Sequence, residues 1–485
     1  THNRMTTRRG RKKTTTMTMM MQQRRYLQSK ESLTHQGYLM DSITMKRIML
    51  NIIAVQFLFS ILCCSCSNAF SPISHSRIQM NNHNHEMNTK QSTMAASADD
   101  STESNRTTGD AQPMLTFGIL ADIQYAPIPD GFSFSGTPRY YRHALSAAKH
   151  AASHFQKESA SLVVNLGDII DGKCQEIEKW CKEEMEASAA TQTATGSSSV
   201  DTLTETQIEE TEIKEESKSC ATATATLPSN PGHDAIDDVL KALSCYHHGP
   251  ILHTYGNHEL YNLSREEIST RLKIPFVKEP CGDLVGYYSF TSPECQNLRF
   301  VVLDSYDISI MQRCPDKSTK RKKAQTILAK NNPNYPSLEN SPEGLDGKEK
   351  RFVAFNGAID EAQKVWLYET LESAKECGQK VIILSHQPIM PESSGDVCLI
   401  WNYPEVLAIL RQYKCTVAAA FAGHAHKGGY KRDEESGIHF RVFEAVLESK
   451  DPIKTYAFVD FHHDRLVVRG YGNCKSATYD LDHLS

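Results

Sequence analysis

Five apolar runs in this chain each end in a short polar block. Residues 114–121 run into Asp122-Ile123-Gln124, 161–166 into Gly167-Asp168, and 251–255 into Gly256-Asn257-His258-Glu259. Residues 380–384 run into Ser385-His386, and 416–421 into Ala422-Gly423-His424-Ala425-His426. Short runs rich in Val, Ile and Leu read as buried strands. Sites in α/β proteins form beyond the carboxyl ends of strands, so five such junctions restrict the chain to an α/β fold built around one polar site.

The segments between the runs fit that plan. Residues 139–157, 234–246 and 359–376 carry amphipathic helical spacing, and Gly378 stands where the third helix needs a C-cap. Beyond His426, residues 437–444, 455–461 and 465–471 read as short strands that complete a second sheet.

A chain of 485 residues, 39% of them hydrophobic, can bury a large core, and one enzyme domain with extensions is the simplest division. We divide it into an N-terminal extension, 1–112, without a fold of its own, and a catalytic domain, 113–485. Two stretches interrupt the domain, 174–232, rich in Glu, Thr, Ser and Ala with few apolar residues, and 317–350, charged and rich in Pro and Asn; both read as surface insertions, mostly mobile. The net charge of -5 averages unlike parts: residues 1–100 carry 13 Lys/Arg against 5 Asp/Glu, and 174–232 carry 4 against 12. The folded part has no basic cluster, which argues against a nucleic-acid partner. Fourteen irregularly spaced cysteines imply neither a zinc ribbon nor a disulfide scaffold and read as reduced or buried thiols.

Within the extension, Lys46-Arg47 precedes an apolar run, 48–64, broken by Asn51, Gln56 and Ser60. A basic flank, a short apolar core and small residues beyond it describe a signal peptide; the run is too short and polar for a stable membrane span. Ala69-Phe70 and the Ser/His/Asn-rich stretch to residue 98 resemble the bipartite leader of algal plastid proteins. A plastid address is one expectation; secretion or an endomembrane location is the other.

The polar blocks supply a definite chemistry. Hydrolysing a phosphate ester or anhydride needs a nucleophile at neutral pH, neutralised charge and in-line geometry, which two divalent ions provide together. A carboxylate must bridge such ions, and Asp168 is the candidate. Gln124 and Asn257 offer amide oxygens, His386, His424 and His426 imidazole nitrogens, and Asp122 a second carboxylate. A nitrogen and oxygen set without thiolate suits Mn, Mg or Fe better than structural zinc. Taken singly, each block has a plainer reading: Gly-Asp and Asn-His are common turn sequences, and His247, His248 and His253 read as structural. Arg139 and Arg142 fit a solvated helix face as well as a ligand contact, and Trp401-Asn402 fits packing as well as a pocket wall.

Together the blocks resemble the calcineurin-like metallophosphoesterase superfamily, whose pattern is Asp-x-His, Gly-Asp, Gly-Asn-His-Glu, His and Gly-His-x-His. Gln124 departs from it. The flanking stretches 121–125, 130–143, 166–172, 255–259 and 422–430 are similar to the manganese-dependent ADP-ribose/CDP-alcohol diphosphatases, a branch with Gln at that position. The resemblance implies a two-sheet β-sandwich flanked by helices in four layers. It implies one ion on Asp122, Gln124, Asp168 and His426, and the other on Asp168, Asn257, His386 and His424, both most simply manganese. It further implies a hydroxide shared by the ions as nucleophile, His258 as the catalytic proton donor or charge stabiliser, and Arg139 and Arg142 as contacts to a second phosphate. The expected substrates are small nucleoside diphosphate-linked molecules: ADP-ribose, giving AMP and ribose 5-phosphate, and CDP-alcohols, giving CMP and a phosphoalcohol. A metallophosphoesterase for other phosphomonoesters, phosphodiesters or nucleotides, or a noncatalytic scaffold, are the alternatives. Oligomeric state is left open.

Overall fold

The computed structural model describes residues 112–133, 135–177, 179–180, 182, 230–313 and 317–484. Apart from Gln112, the N-terminal extension with its apolar run and leader, and most of the first insertion, lie outside the described residues.

Two six-stranded sheets form the centre. In chain order the strands are β1 (Leu115–Leu120), β2 (Leu162–Asn165), β3 (Ile251–His253), β4 (Tyr288–Thr291), β5 (Leu298–Val302) and β6 (Lys380–Leu384). They continue as β7 (Val417–Ala422), β8 (Gly429–Arg432), β9 (His439–Val442), β10 (Tyr456–Phe461), β11 (Arg465–Tyr471) and β12 (Ala477–Asp480). The first sheet has the order β12-β11-β10-β1-β2-β3 and the second β8-β9-β7-β6-β5-β4. The strands that carry the polar blocks pair in parallel, β1 with β2, β2 with β3, and β6 with β7; β3 lies at the edge of the first sheet and the other four are interior. Parallel strands are covered on both faces, which is why Leu-Val-Val-Asn in β2 is buried at every position.

One apolar layer lies between the sheets, where Phe117 and Ile119 of β1 meet Phe300 of β5 and Phe421 of β7. The rings of Phe117 and Phe300 sit edge to face at 5.1 Å. Helices close both outer faces. α1 (Tyr141–Lys157) and α2 (Pro231–Leu243) cover the first sheet. α1 buries Ala144, Ala147, Ala148, Ala151, Ala152 and Phe155, a stripe of three- and four-residue steps whose small side chains let the helix approach closely. Gly118 receives the ring of Phe155; a Cβ there would lie 2.6 Å from it. α3 (Asn257–Asn262) and α4 (Arg265–Leu272) follow β3, and α5 (Thr319–Asn331) precedes β6. α6 (Glu361–Glu376) and α7 (Tyr403–Gln412) cover the second sheet. α6 ends as expected at Gly378, at φ +67°, with Gly378 N–H on Lys375 O at 3.1 Å and Gln379 N–H on Ala374 O at 2.9 Å. The result is the four-layer sandwich of helices, sheet, sheet and helices.

Two expectations need correction. Of the three runs after His426, only β9 joins the second sheet; β10 pairs antiparallel with β1, Leu115 opposite Phe461, and brings β11 and β12 into the first sheet. The chain changes sheet through 445–447: Ala445 N–H donates to His426 O, then Val446 N–H to Ala121 O and Leu447 N–H to Asp122 O, at 3.0, 3.0 and 3.1 Å. The stretch 317–350, read as a mobile insertion, contains α5, capped by the Ser318 hydroxyl on Arg321 N–H. Its buried Lys320, Ala324 and Leu328 recur every four residues, a stripe hidden in the sequence by the surrounding lysines and arginine. Ala324 and Leu328 pack with Phe352, Ala354 and Trp401. Trp401 is a packing residue, buried with its indole N–H on Val353 O at 3.2 Å.

The eight cysteines among the described residues are unpaired. Among those residues no helix is long and apolar enough to cross a membrane.

Candidate metal centre

The five polar blocks meet at the carboxyl ends of β1, β2 and β3 on one side and β6 and β7 on the other. Strand pairing runs on into the loops: Asp122 N–H donates to Gly167 O and Gln124 N–H to Asp168 O, at 3.2 and 2.8 Å. In the second sheet Ser385 N–H donates to Phe421 O and Gly423 N–H to His386 O, at 3.1 and 3.0 Å. Beyond these bonds the backbone turns abruptly. Asp122, Gln124, Asp168 and His424 have φ of 51°, 45°, 54° and 65°, four of the eight non-glycine residues in the left-handed region among the described residues. Each such residue costs about 1–3 kcal/mol, so the surrounding bonds must hold the strain.

Glu259 secures the turn at Asp168. Its buried carboxylate accepts Asp168 N–H at 3.2 Å, Gly256 N–H at 2.9 Å and Ile169 N–H, tying the second block to the third. Burial and the neighbouring Asp168 charge push the Glu259 pKa up to about 7 against those three donors.

The turned side chains converge. Asp168 Oδ2 lies 3.0 Å from Gln124 Nε2, 3.3 Å from His386 Nε2 and 3.9 Å from His258 Nε2. His426 Nε2 lies 3.0 Å from Gln124 Nε2 and 3.6 Å from Asp122 Oδ1. Asn257 Oδ1 lies 3.3 Å from His386 Nε2, and His424 Nδ1 3.1 Å from that same nitrogen. All seven residues proposed as ligands are therefore gathered, with Asp168 between the Gln124/His426 group and the Asn257/His386/His424 group.

The donor set fits a cation. His386 Nδ1–H donates to Leu166 O at 2.6 Å, which leaves its Nε2 lone pair facing the ring nitrogen of His424 and the carboxylate of Asp168. The buried Gln124 Oε1 has no hydrogen-bond partner. Acceptors crowded together in a buried space require positive charge. Without an ion a proton fills that place: burial disfavours the His386 cation, yet the Asp168 charge raises its pKa to about 9. Asp168 is pulled well below the usual carboxylate range by His386 and His258 despite its burial. Asp122 is raised, chiefly by burial, and His424 is lowered by burial and by His386.

His258 stands at the edge of the cluster. Gly172 N–H donates to its Nδ1 at 2.8 Å, and Asp171 Oδ2 lies 3.3 Å from that nitrogen. Arg139 reaches the same Asp171 oxygen at 3.7 Å, which places it beside His258. Arg142 is exposed on the first turn of α1, where its charge acts on Tyr125. His253 packs inside, 3.1 Å from Asn165 Nδ2, its pKa lowered to about 4 by burial.

Asp171, Tyr306, Asn356 and Glu448 join the site without belonging to any of the five blocks. Tyr306 O–H donates to Asn257 Oδ1 at 3.0 Å, Asn356 Oδ1 lies 2.9 Å from His424 Nε2, and Glu448 Oε1 lies 3.0 Å from His426 Nδ1. Asp171 had a signal, lying three residues after Asp168 in the same loop. The others reach the site from distant segments with no motif of their own.

No protein-family model matches the chain. The manganese-dependent ADP-ribose/CDP-alcohol diphosphatase of Oryza sativa subsp. japonica is 37% identical over 360 residues, covering 74% of this chain and 92% of that protein. The Homo sapiens protein of the same name is 32% identical, covering 75% and 91%. The chain belongs to the manganese-dependent ADP-ribose/CDP-alcohol diphosphatase family. It is accordingly a metal-dependent hydrolase, and a dimetal phosphatase from Danio rerio shares its architecture, with a TM-score of 0.59 at 30% identity over 76% of this chain and 100% of that one. Within this diphosphatase family the fold is the one the sequence resemblance implied, and Gln124 stands in the branch pattern quoted for it.

Proposed function

We propose that the chain hydrolyses the diphosphate linkage of ADP-ribose and CDP-alcohols with two manganese ions. The observation that carries this reading is the cluster of buried acceptors around Asp168, in a chain whose relatives bear that activity in their names. Asp122, Gln124, Asp168 and His426 would hold one ion, and Asp168, Asn257, His386 and His424 the other. Bound ions of this kind supply a hydroxide nucleophile near neutral pH and offset the negative charge of the phosphoryl group.

The protein's own groups do the rest. With Nδ1 accepting from Gly172, a neutral His258 carries its proton on Nε2, the nitrogen turned toward Asp168. That proton is available to the departing phosphate oxygen, whose developing charge the N–H also steadies. Arg139, next to Asp171, is placed for contact with the second phosphate of a diphosphate substrate, and the sequence resemblance supports the same role for Arg142. Burial of the cluster strengthens each of these electrostatic contacts.

Incubating the protein with ADP-ribose and Mn²⁺ in ¹⁸O-labelled water tests the reaction. The reading requires AMP and ribose 5-phosphate, one of them labelled, and no turnover after chelation; a product set lacking AMP sinks it. The plastid address is a separate proposal, supported by the leader-like sequence, and a fluorescent fusion of residues 40–100 found outside plastids overturns it.

A further inference from the structure

The two histidines of the Gly423-His424-Ala425-His426 block are held from behind by different residues, in opposite senses. Asn356 is fully buried, and its amide NH₂ donates to Arg351 O at 2.8 Å and to Val397 O at 2.7 Å. Those two bonds settle which way the amide points: its oxygen, not its nitrogen, faces His424 Nε2 at 2.9 Å. An acceptor at that distance requires hydrogen on Nε2, and the neutral ring then carries its lone pair on Nδ1, the nitrogen 3.1 Å from His386 Nε2. The backing is rigid, because Arg351 is itself anchored by Nε on Trp401 O at 2.8 Å and by a terminal guanidinium nitrogen on Lys348 O at 2.6 Å.

His426 is arranged the other way round. Glu448 Oε1 lies 3.0 Å from Nδ1, so Nδ1 carries the hydrogen and Nε2 faces Gln124 and Asp122 with its lone pair. The second Glu448 oxygen takes Lys427 Nζ at 3.1 Å, which fixes the carboxylate plane. Glu448 is carried there by 445–447, whose N–H groups bond His426, Ala121 and Asp122 in turn. His386 needs no side chain for this purpose, since Leu166 O accepts from its Nδ1.

We propose that Asn356 and Glu448 are positioning residues that impose opposite tautomers on His424 and His426, presenting Nδ1 of the first and Nε2 of the second to the two metal ions. The assignment rests on the ligand reading above. Two residues apart, the rings cannot offer the same nitrogen to neighbouring ions while each keeps its backing bond. The hydrogen-bond acceptor behind a ligating imidazole sets its tautomer and raises its basicity, and loss of such a partner costs on the order of 10- to 100-fold in metal affinity.

The full chain, labelled with ¹⁵N-histidine and freed of metal, tests the tautomers by long-range ¹H–¹⁵N correlation, with His424→Gln and His426→Gln assigning the signals among twenty histidines. The Nε2–H form at His424 and the Nδ1–H form at His426 are expected; the same form at both overturns the proposal. Mn²⁺ titration followed by electron paramagnetic resonance supplies the second readout. Asn356→Leu and Glu448→Leu should each weaken Mn²⁺ binding by about 10- to 100-fold. Glu448→Gln keeps an acceptor for Nδ1–H and should recover most of the loss, which a merely structural role would not produce. Wild-type affinity in both leucine variants overturns the proposal while leaving the ligands in place. Unchanged Mn²⁺ affinity in His424→Ala and His426→Ala overturns the ligand reading instead, and the positioning role with it.

Discussion

Gln124 and Asp168, 44 positions apart, meet at 3.0 Å through the Gln124 amide nitrogen and Asp168 Oδ2, with neither residue appreciably exposed. The contact joins the ends of neighbouring parallel strands, and both residues reach it from left-handed backbone. A half-turn of the amide would exchange its nitrogen for the partnerless Oε1 and present an oxygen where the cluster calls for a ligand. Gln124 thus suits the place that the wider superfamily gives to histidine.

Asp168→Ala removes the carboxylate oxygen that lies against both Gln124 Nε2 and His386 Nε2. Turnover should fall by about a hundredfold or more, a loss of roughly 3 kcal/mol or greater in transition-state stabilisation. Binding to the folded state alone stabilises by about 2.7 kcal/mol at a hundred times Kd, so Mn²⁺ should raise the wild-type melting temperature and not that of the variant. Calorimetry with and without Mn²⁺ checks this, and an equal shift in both proteins would count against the bridging role.

His258→Ala should separate chemistry from metal binding. His258 touches Gly172, Asp171 and the outer edge of Asp168, so its loss should lower kcat by roughly 10²–10⁴-fold while Mn²⁺ affinity stays within a few-fold of wild type. Steady-state kinetics alongside a Mn²⁺ titration decides it. A variant that keeps full kcat cannot have lost the proton donor.

Gly118→Val should act on the fold alone. The added side chain would press on the Phe155 ring, already 2.6 Å from where a Cβ would stand, and overpacking of this kind costs about 1–3 kcal/mol. A lower urea midpoint with unchanged Mn²⁺ affinity is expected. An unchanged midpoint would mean that α1 packs less tightly on β1 than the structure shows.

The architecture was legible wherever a run of apolar residues was both buried and terminated by a polar block. β1, β2, β6 and β7 combine those two signals, and their ends supply Asp122, Asp168, His386 and His424. What the sequence concealed had particular causes. α5 hides a stripe of Ala324 and Leu328 among four lysines and one arginine, so its charge outweighs its periodicity. β10 and β11 look like neighbours of β9 because they follow it, yet the crossing at 445–447 is made by backbone bonds that any side chains could make. Asn356 and Glu448 act through single contacts to histidine rings far from them in the chain, and no spacing rule links them to the block they back.

The proposed activity of this site is hydrolysis of a nucleoside diphosphate linkage. Its most direct test is kcat/KM for ADP-ribose, CDP-choline and 4-nitrophenyl phosphate, measured side by side on the same Mn²⁺-loaded protein. ADP-ribose and CDP-choline should be cleaved at least about tenfold more efficiently than the monoester, a difference of roughly 1.4 kcal/mol or more in transition-state binding. Faster hydrolysis of 4-nitrophenyl phosphate would contradict it and identify a phosphomonoesterase built on the same metal centre.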